Sequence, residues 1–255
     1  MKIALFQTKL AWENPEKNRK FIEEYVVNET QAFDLLVLPE MFTSGFTMNP
    51  QNVAETLSGQ TVQWLQSLAK TKNCAITGSL VIEENGKYFN RMVFVFPTGE
   101  MEYYDKRHLF TLAGENQKYQ AGKQKKIVQY LDYKFCLQVC YDLRFPVFSR
   151  NNGDYDLLIY LANWPIKRID AWDTLLKARS IENQCFTIGV NRVGEDGNGI
   201  PFNGYTKVFD AFGKELFSAK ENMEEVLQIE INLDDLKLKR RQMNFLKDRD
   251  NFTLE

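Results

Sequence analysis

A single histidine, His108, serves the whole 255-residue chain, and that scarcity excludes a good deal. A zinc site wants several imidazole or thiolate ligands at short spacing, and the four cysteines (Cys74, Cys136, Cys140 and Cys185) contain no CxxC pair. No metal and no cofactor is expected. Along an extended strand Cys136 and Cys140 would stand about 13 Å apart, beyond the reach of a disulfide. Reduced thiols and a cytoplasmic location follow as expectations. Long apolar runs are lacking too, so nothing reads as a membrane span. The opening Met1-Lys2-Ile3-Ala4-Leu5-Phe6-Gln7 turns polar too early for the core of a signal peptide. A basic surplus is missing: 32 Lys and Arg against 34 Asp and Glu leave a net charge of -2, without the footprint that nucleic acid or an anionic membrane requires. Linkers, repeats and low-complexity segments are absent, so one domain over 1–255 is expected. Its tail, from about residue 236, would serve packing or dimer contacts.

What is present is an alternation of short apolar runs with helical patterns, the signature of an α/β domain. Strands are expected at Lys2–Thr8, Asp34–Pro39, Cys74–Ile82, Asn90–Phe96, Lys126–Leu131, Tyr133–Cys140, Asp156–Ala162, Cys185–Val193, Gly204–Phe209 and Glu225–Ile231. Helices are expected at Pro15–Glu29, Thr61–Thr71, Ile169–Asn183 and Leu233–Met243, the third from the spacing of Trp172, Leu175, Leu176 and Ile181. Leu35-Leu36-Val37-Leu38 and Leu157-Leu158-Ile159-Tyr160-Leu161 are apolar without interruption, as in strands covered on both faces. Residues 28–32 and 84–87 read as connections, the second a hairpin turn around Asn85-Gly86.

Several of these strands end on a reactive side chain. Val37-Leu38-Pro39 leads to Glu40, Tyr103-Tyr104-Asp105 to Lys106, Leu137-Gln138-Val139 to Cys140, and Leu161-Ala162 to Asn163-Trp164. Ligand sites of open α/β sheets gather beyond the carboxyl ends of strands, so residues this far apart can converge. After Cys140 come a polar turn and Pro146, which can open a helix. That geometry would let backbone N–H groups face a developing oxyanion. A carboxylate, an ammonium and a thiol together make a hydrolytic set. The carboxylate takes the thiol proton and returns it to a leaving amine, while the ammonium favours the thiolate and steadies the oxyanion.

Leu38-Pro39-Glu40-Met41-Phe42, Tyr104-Asp105-Lys106-Arg107-His108-Leu109-Phe110 and Val139-Cys140-Tyr141-Asp142-Leu143-Arg144-Phe145-Pro146 resemble the three signature segments of the nitrilase superfamily of carbon–nitrogen hydrolases. The resemblance runs from Ile3 to about Asp235. Pro39–Phe46, Ala162–Pro165 and Asn191–Gly199 are most similar to the bacterial ω-amidase branch, which acts on 2-oxoglutaramate-type acids. The resemblance implies a four-layer αββα sandwich and a homodimer paired across a helical layer. It implies Glu40 as general base, Lys106 as oxyanion stabiliser and Cys140 as nucleophile. It also implies Glu115, in Ala113-Gly114-Glu115-Asn116, as a second glutamate that positions the triad and substrate. The implied partner is a small amide; a nitrilase, an N-carbamoyl or deaminated-glutathione amidase, and a non-catalytic scaffold are the rivals.

Other residues carry blander readings. Cysteine is among the most buried residue types, so Cys74, Cys136 and Cys185 are taken as core. His108 is read as a structural or rim residue, since a base already exists. Arg144 either pairs with Asp142 or another carboxylate as scaffold, or holds a substrate carboxylate; Arg192 and Lys167 are weaker candidates for that second role. Phe42, Phe110, Tyr119 and Trp164 adjoin the signature segments and are expected to wall the pocket, with Tyr141 supplying a backbone N–H to the oxyanion. The run Lys237-Leu238-Lys239-Arg240-Arg241 is a solvated helix end or a dimer contact.

Overall fold

Side chains alternate between two apolar layers along every central strand. The computed structural model describes residues 1–29 and 31–254; Thr30, within the expected 28–32 connection, and Glu255, at the end of the tail, lie outside the described residues. With strands numbered along the chain, the first sheet runs in space as β14 (Glu225–Glu230), β1 (Lys2–Gln7), β2 (Leu35–Val37), β3 (Ala75–Glu84), β4 (Lys87–Val95) and β5 (Met101–Asp105). The second runs as β13 (Glu215–Ser218), β12 (Lys207–Phe209), β9 (Phe186–Asn191), β8 (Leu157–Ala162), β7 (Tyr133–Val139) and β6 (Lys126–Tyr130). Strands β1, β2 and β3 are parallel, as are β7, β8 and β9, and the flanking strands are antiparallel.

Ile3, Leu5, Leu35 and Val37 of the first sheet face Leu137, Val139, Leu157 and Ile159 of the second in one central core. Their neighbours Ala4, Phe6 and Leu36 turn the other way, onto α1 (Pro15–Asn28) and α2 (Gln60–Lys72). On the far side Leu158, Tyr160 and Ala162 meet Trp172 and Leu176 of α4 (Ile169–Asn183). The layers therefore stack α, β, β, α. The uninterrupted apolar runs are those covered on both faces, because a strand between two layers has no face for water.

Local signals act where their chemistry requires. Asn14 caps α1 by accepting the N–H of Lys17, with Pro15 opening the helix. Asn85 and Gly86 both take positive φ, +54° and +73°, which is the two-residue hairpin turn joining β3 to β4. The buried stripe of α4 is Trp172, Leu176, Arg179, Ser180 and Asn183, while Ile181 faces outward, 40% exposed.

Several boundaries differ from expectation. The Cys185–Val193 run breaks into β9 and a separate ribbon of β10 (Val193–Glu195) with β11 (Pro201–Asn203), because Arg192 turns its guanidinium inward. Strand β12 begins at Lys207 rather than Gly204, because Gly204 (φ +87°) and Tyr205 (φ +64°) leave the extended region. No helix opens at Pro146; a short 3-10 turn spans Cys140–Arg144 and Pro146 lies in the turn after it. The tail folds back: in α5 (Leu233–Gln242) Leu236 joins the central core, and Arg240 bonds Asp156 and the carbonyls of Tyr155 and Gln184. Among the described residues no helix is long and apolar enough to cross a membrane.

Candidate active site

Glu40 follows β2, Lys106 follows β5, Cys140 follows β7 and Asn163 follows β8, and all four meet at one end of the sandwich. The Lys106 ammonium donates to Glu40 Oε1 at 3.0 Å and to both Glu115 oxygens at 3.1 and 3.0 Å, and all three side chains are shielded from water. Asn90, on β4, donates its amide to Glu40 at 2.8 Å and to Glu115 at 3.4 Å. The other Glu40 oxygen accepts the Asn163 N–H at 2.8 Å. Glu115 opens the four-residue helix α3 (Glu115–Lys118) and accepts the Phe110 N–H at 2.5 Å. Each carboxylate is thus held by several donors, as buried charge demands.

Cys140 stands at φ +44°, a left-handed conformation that non-glycine residues rarely take. Cys140 is half-buried and borders the cavity, and its thiol lies within the electrostatic reach of Glu40, Lys106 and Glu115. Asp142 braces this elbow. Its Oδ2 accepts the Val139 N–H at 2.9 Å and the Tyr104 hydroxyl at 2.8 Å. Its Oδ1 accepts the His108 N–H at 2.9 Å and lies 2.8 Å from His108 Nδ1. The strand end that carries Lys106 is thereby tied to the turn that carries Cys140.

The electrostatics refine one expectation. Burial and the Glu40 and Glu115 carboxylates push the Cys140 thiol well above the ordinary range, and Lys106 only partly offsets them. Burial works against the Lys106 charge, but Glu115 and Glu40 outweigh it and the net shift is upward. Burial raises Glu115 despite the pull of Lys106, with Glu40 adding to the rise. Lys106 does not maintain a resting thiolate, because its charge is answered twice over.

The thiol, Lys106 and Asn163 border a cavity of about 310 Å³. Tyr141, Trp164, Phe110 and Arg144 line it. Two of the expected wall residues do not. Phe42 is fully buried beside Trp64 (ring centroids 6.4 Å apart) in the layer between the first sheet and α2; the positive φ of Met41 (+43°) turns the chain so that the ring faces away from the cavity. Tyr119 packs with Met41, Val53 and Val81 behind the cluster, its hydroxyl donating to the Thr47 carbonyl at 2.7 Å. Phe46, Met48 and Phe202 supply wall that the sequence reading missed, since all three come from loops and a short ribbon with no periodic signal.

The cationic candidates separate as well. Arg144 does not pair with Asp142, whose oxygens are already taken; its guanidinium lies 4.9 Å over the Trp164 ring. Arg192 is fully buried, bonded to the carbonyls of Val193, Leu10 and Glu195, and burial lowers it to about 10. Lys167 is exposed and outside the cavity lining. His108 stacks on Phe145 at 3.9 Å, bound to Asp142. Cys74, Cys136 and Cys185 are buried. Asn90 carries no mark in the sequence, and only the register of β4 brings it to the site; Asp142 lies beside Cys140 in the chain, but its partners Tyr104 and His108 reach it only through the return of β5 onto the elbow.

The carbon-nitrogen hydrolase family model matches residues 2–241. The omega-amidase YafV of Yersinia enterocolitica is 40% identical over all of this chain and 98% of its own. The 2-oxoglutaramate amidase of Bacillus subtilis is 31% identical over 91% of both chains. The crystal structure of XC1258 from Xanthomonas campestris, described as a CN-hydrolase superfamily protein with an arsenic adduct in the active site, superposes with a TM-score of 0.97 at 38% identity, covering 100% of this chain and 99% of that one. The chain belongs to the carbon-nitrogen hydrolase family and is a hydrolase of non-peptide carbon–nitrogen bonds.

Proposed function

We propose that the protein is an ω-amidase, releasing ammonia from the terminal amide of a short 2-oxo dicarboxylic acid such as 2-oxoglutaramate or 2-oxosuccinamate. The observation that carries this reading is half-buried Cys140 on its left-handed elbow at the cavity, beside the buried cluster in which Lys106 bonds Glu40 and Glu115. Full-length similarity to named omega-amidases supports the substrate class.

Glu40 removes the thiol proton as sulfur attacks the amide carbon. The oxyanion that forms is met by the Lys106 ammonium and the Tyr141 N–H, in the 3-10 turn that Cys140 opens. Glu40 then protonates nitrogen, the C–N bond breaks, and ammonia leaves a thioester on Cys140. Water, deprotonated by Glu40, attacks the thioester and the acid departs, restoring the thiol. Glu115 and Asn90 hold Glu40 and Lys106 in register.

The reading extends to one domain over 1–255 and to a homodimer across a helical layer, supported by the outward Ile181 and Phe212 beside α4. A cytoplasmic location fits four free thiols. Ammonia release from 2-oxoglutaramate, succinamate, glutamine and a simple nitrile tests the substrate class. The wild type should favour the first. Cys140→Ala should abolish release while the circular dichroism stays native, and full activity in that variant would overturn the mechanism.

A further inference from the structure

The two ends of the cavity carry opposite charge. At the floor Lys106 borders the cavity, and directly behind it its one ammonium is paired with two buried carboxylates, Glu40 and Glu115, so the cluster is net negative. At the mouth stand two guanidinium groups, Arg144 over the Trp164 ring at 4.9 Å and Arg168 over the Phe110 ring at 5.0 Å. Neither arginine has a carboxylate within ion-pair distance among the described residues. Asp196 also borders the cavity and adds one negative charge, its Oδ1 accepting the N–H groups of Asn198 and Ile200 at 2.8 and 3.0 Å; two guanidinium groups against that one carboxylate leave this end net positive.

Trp164 ties the two cations together. Its ring underlies Arg144, and its indole N–H donates to the Arg168 carbonyl at 2.7 Å. The Arg168 N–H in turn donates to the Pro165 carbonyl at 3.0 Å, so its backbone is held at both ends although its side chain is exposed. A guanidinium held over an aromatic ring spends none of its N–H groups on that contact and keeps them free for bidentate binding of a carboxylate.

We propose that Arg168, beside Arg144, is the residue that reads the substrate's far carboxylate and thereby sets the direction of entry. This rests on the amidase reading above and deepens it. A carboxylate approaching the floor meets a local excess of negative charge, whereas a neutral amide does not. A short amide acid therefore enters amide first, its carboxylate arrested at the arginine pair. Hydrolysis then creates a second carboxylate against Glu40 and Glu115, and that repulsion favours release of the diacid. The substrate class is a short linear amide whose opposite end carries a carboxylate.

Succinamate and butyramide differ only in a terminal carboxylate against a methyl group, which makes them a matched pair. Their kcat/KM ratio is compared in wild type, Arg168→Lys and Arg168→Met. Wild type should prefer succinamate. Arg168→Met should cut the ratio at least tenfold, chiefly by raising KM for succinamate, and Arg168→Lys should retain more of it. Added 0.5 M KCl should raise the wild-type KM for succinamate more than that for butyramide. A ratio in Arg168→Met within twofold of wild type overturns the assignment of Arg168 alone. A wild type that releases ammonia from no amide in the panel overturns the amidase reading itself.

Discussion

Two negative charges and one positive charge surround the Cys140 sulfur, and that imbalance decides its resting state. A thiol held above its ordinary range is protonated at neutral pH, and the thiolate fraction grows only as pH rises through the shifted value. On the proposed mechanism nucleophilicity is generated during attack, by transfer to Glu40, which keeps the thiol quiet until an amide is in place. The alkylation rate with iodoacetamide should therefore climb across the ordinary thiol range near about 8.5 without levelling off. In Glu40→Gln one carboxylate is gone while Lys106 remains, so the alkylation midpoint should move to lower pH. Amide hydrolysis in that variant should fall by about 10² to 10⁴ as the acid–base group is lost. An unmoved or higher midpoint would show that Glu40 does not govern the thiol. At this scale the convergence of Glu40, Lys106 and Cys140 was legible because each closely follows a strand. Their supports were not. Asp142 lies two residues before Arg144, which suggests a local pair, yet its partners Tyr104 and His108 come from 38 and 34 positions away.

Elements place these side chains through their ends, so small distortions there reach the chemistry. Lys106 leaves β5 against the following loop: its N–H donates to the Asn90 carbonyl at 3.0 Å and its own carbonyl accepts the Gly122 N–H at 2.9 Å. Gly122 is pressed against this strand end, and a methyl group built on it would overlap the Asp105 carbonyl oxygen, a backbone atom with no rotamer to yield. Gly122→Ala should therefore displace Lys106, destabilising the protein by about 1–3 kcal/mol as overpacking does. It should lower kcat well beyond what the lost stability explains, measured at a temperature where the variant is fully folded. A folded variant with wild-type kcat would refute that coupling. Strands and long helices announced themselves through period and length, as β8 and α4 did. The elements that shape the cavity did not. The β10–β11 ribbon has three residues per strand, and the 3-10 turn at Cys140 is too short to express a pattern. Phe42 was misplaced for the same reason: adjacency in sequence says nothing of the positive φ at Met41 that turns its ring into the core.

The whole molecule divides its site between two sheets, since Glu40, Asn90 and Lys106 belong to the first and Cys140 and Asn163 to the second. Neither sheet alone can hold the thiol against its base, so activity depends on the central core that joins them. Phe94 of β4 and Phe135 of β7 meet across that core with ring centroids 5.5 Å apart, both fully buried. Phe135→Ala removes a ring contributed by one sheet to the other and leaves a cavity midway between them, at a cost of about 3–5 kcal/mol. For a chain of this size, at roughly 2–4 °C per kcal/mol, the melting temperature should drop on the order of 10 °C. If the chain is one domain, the loss of ammonia release and the loss of far-ultraviolet circular dichroism should share a midpoint in both proteins and shift together in the variant. Activity that disappears well below the structural transition would mean that the sheets part before either unfolds. The chain would then be two coupled units rather than one.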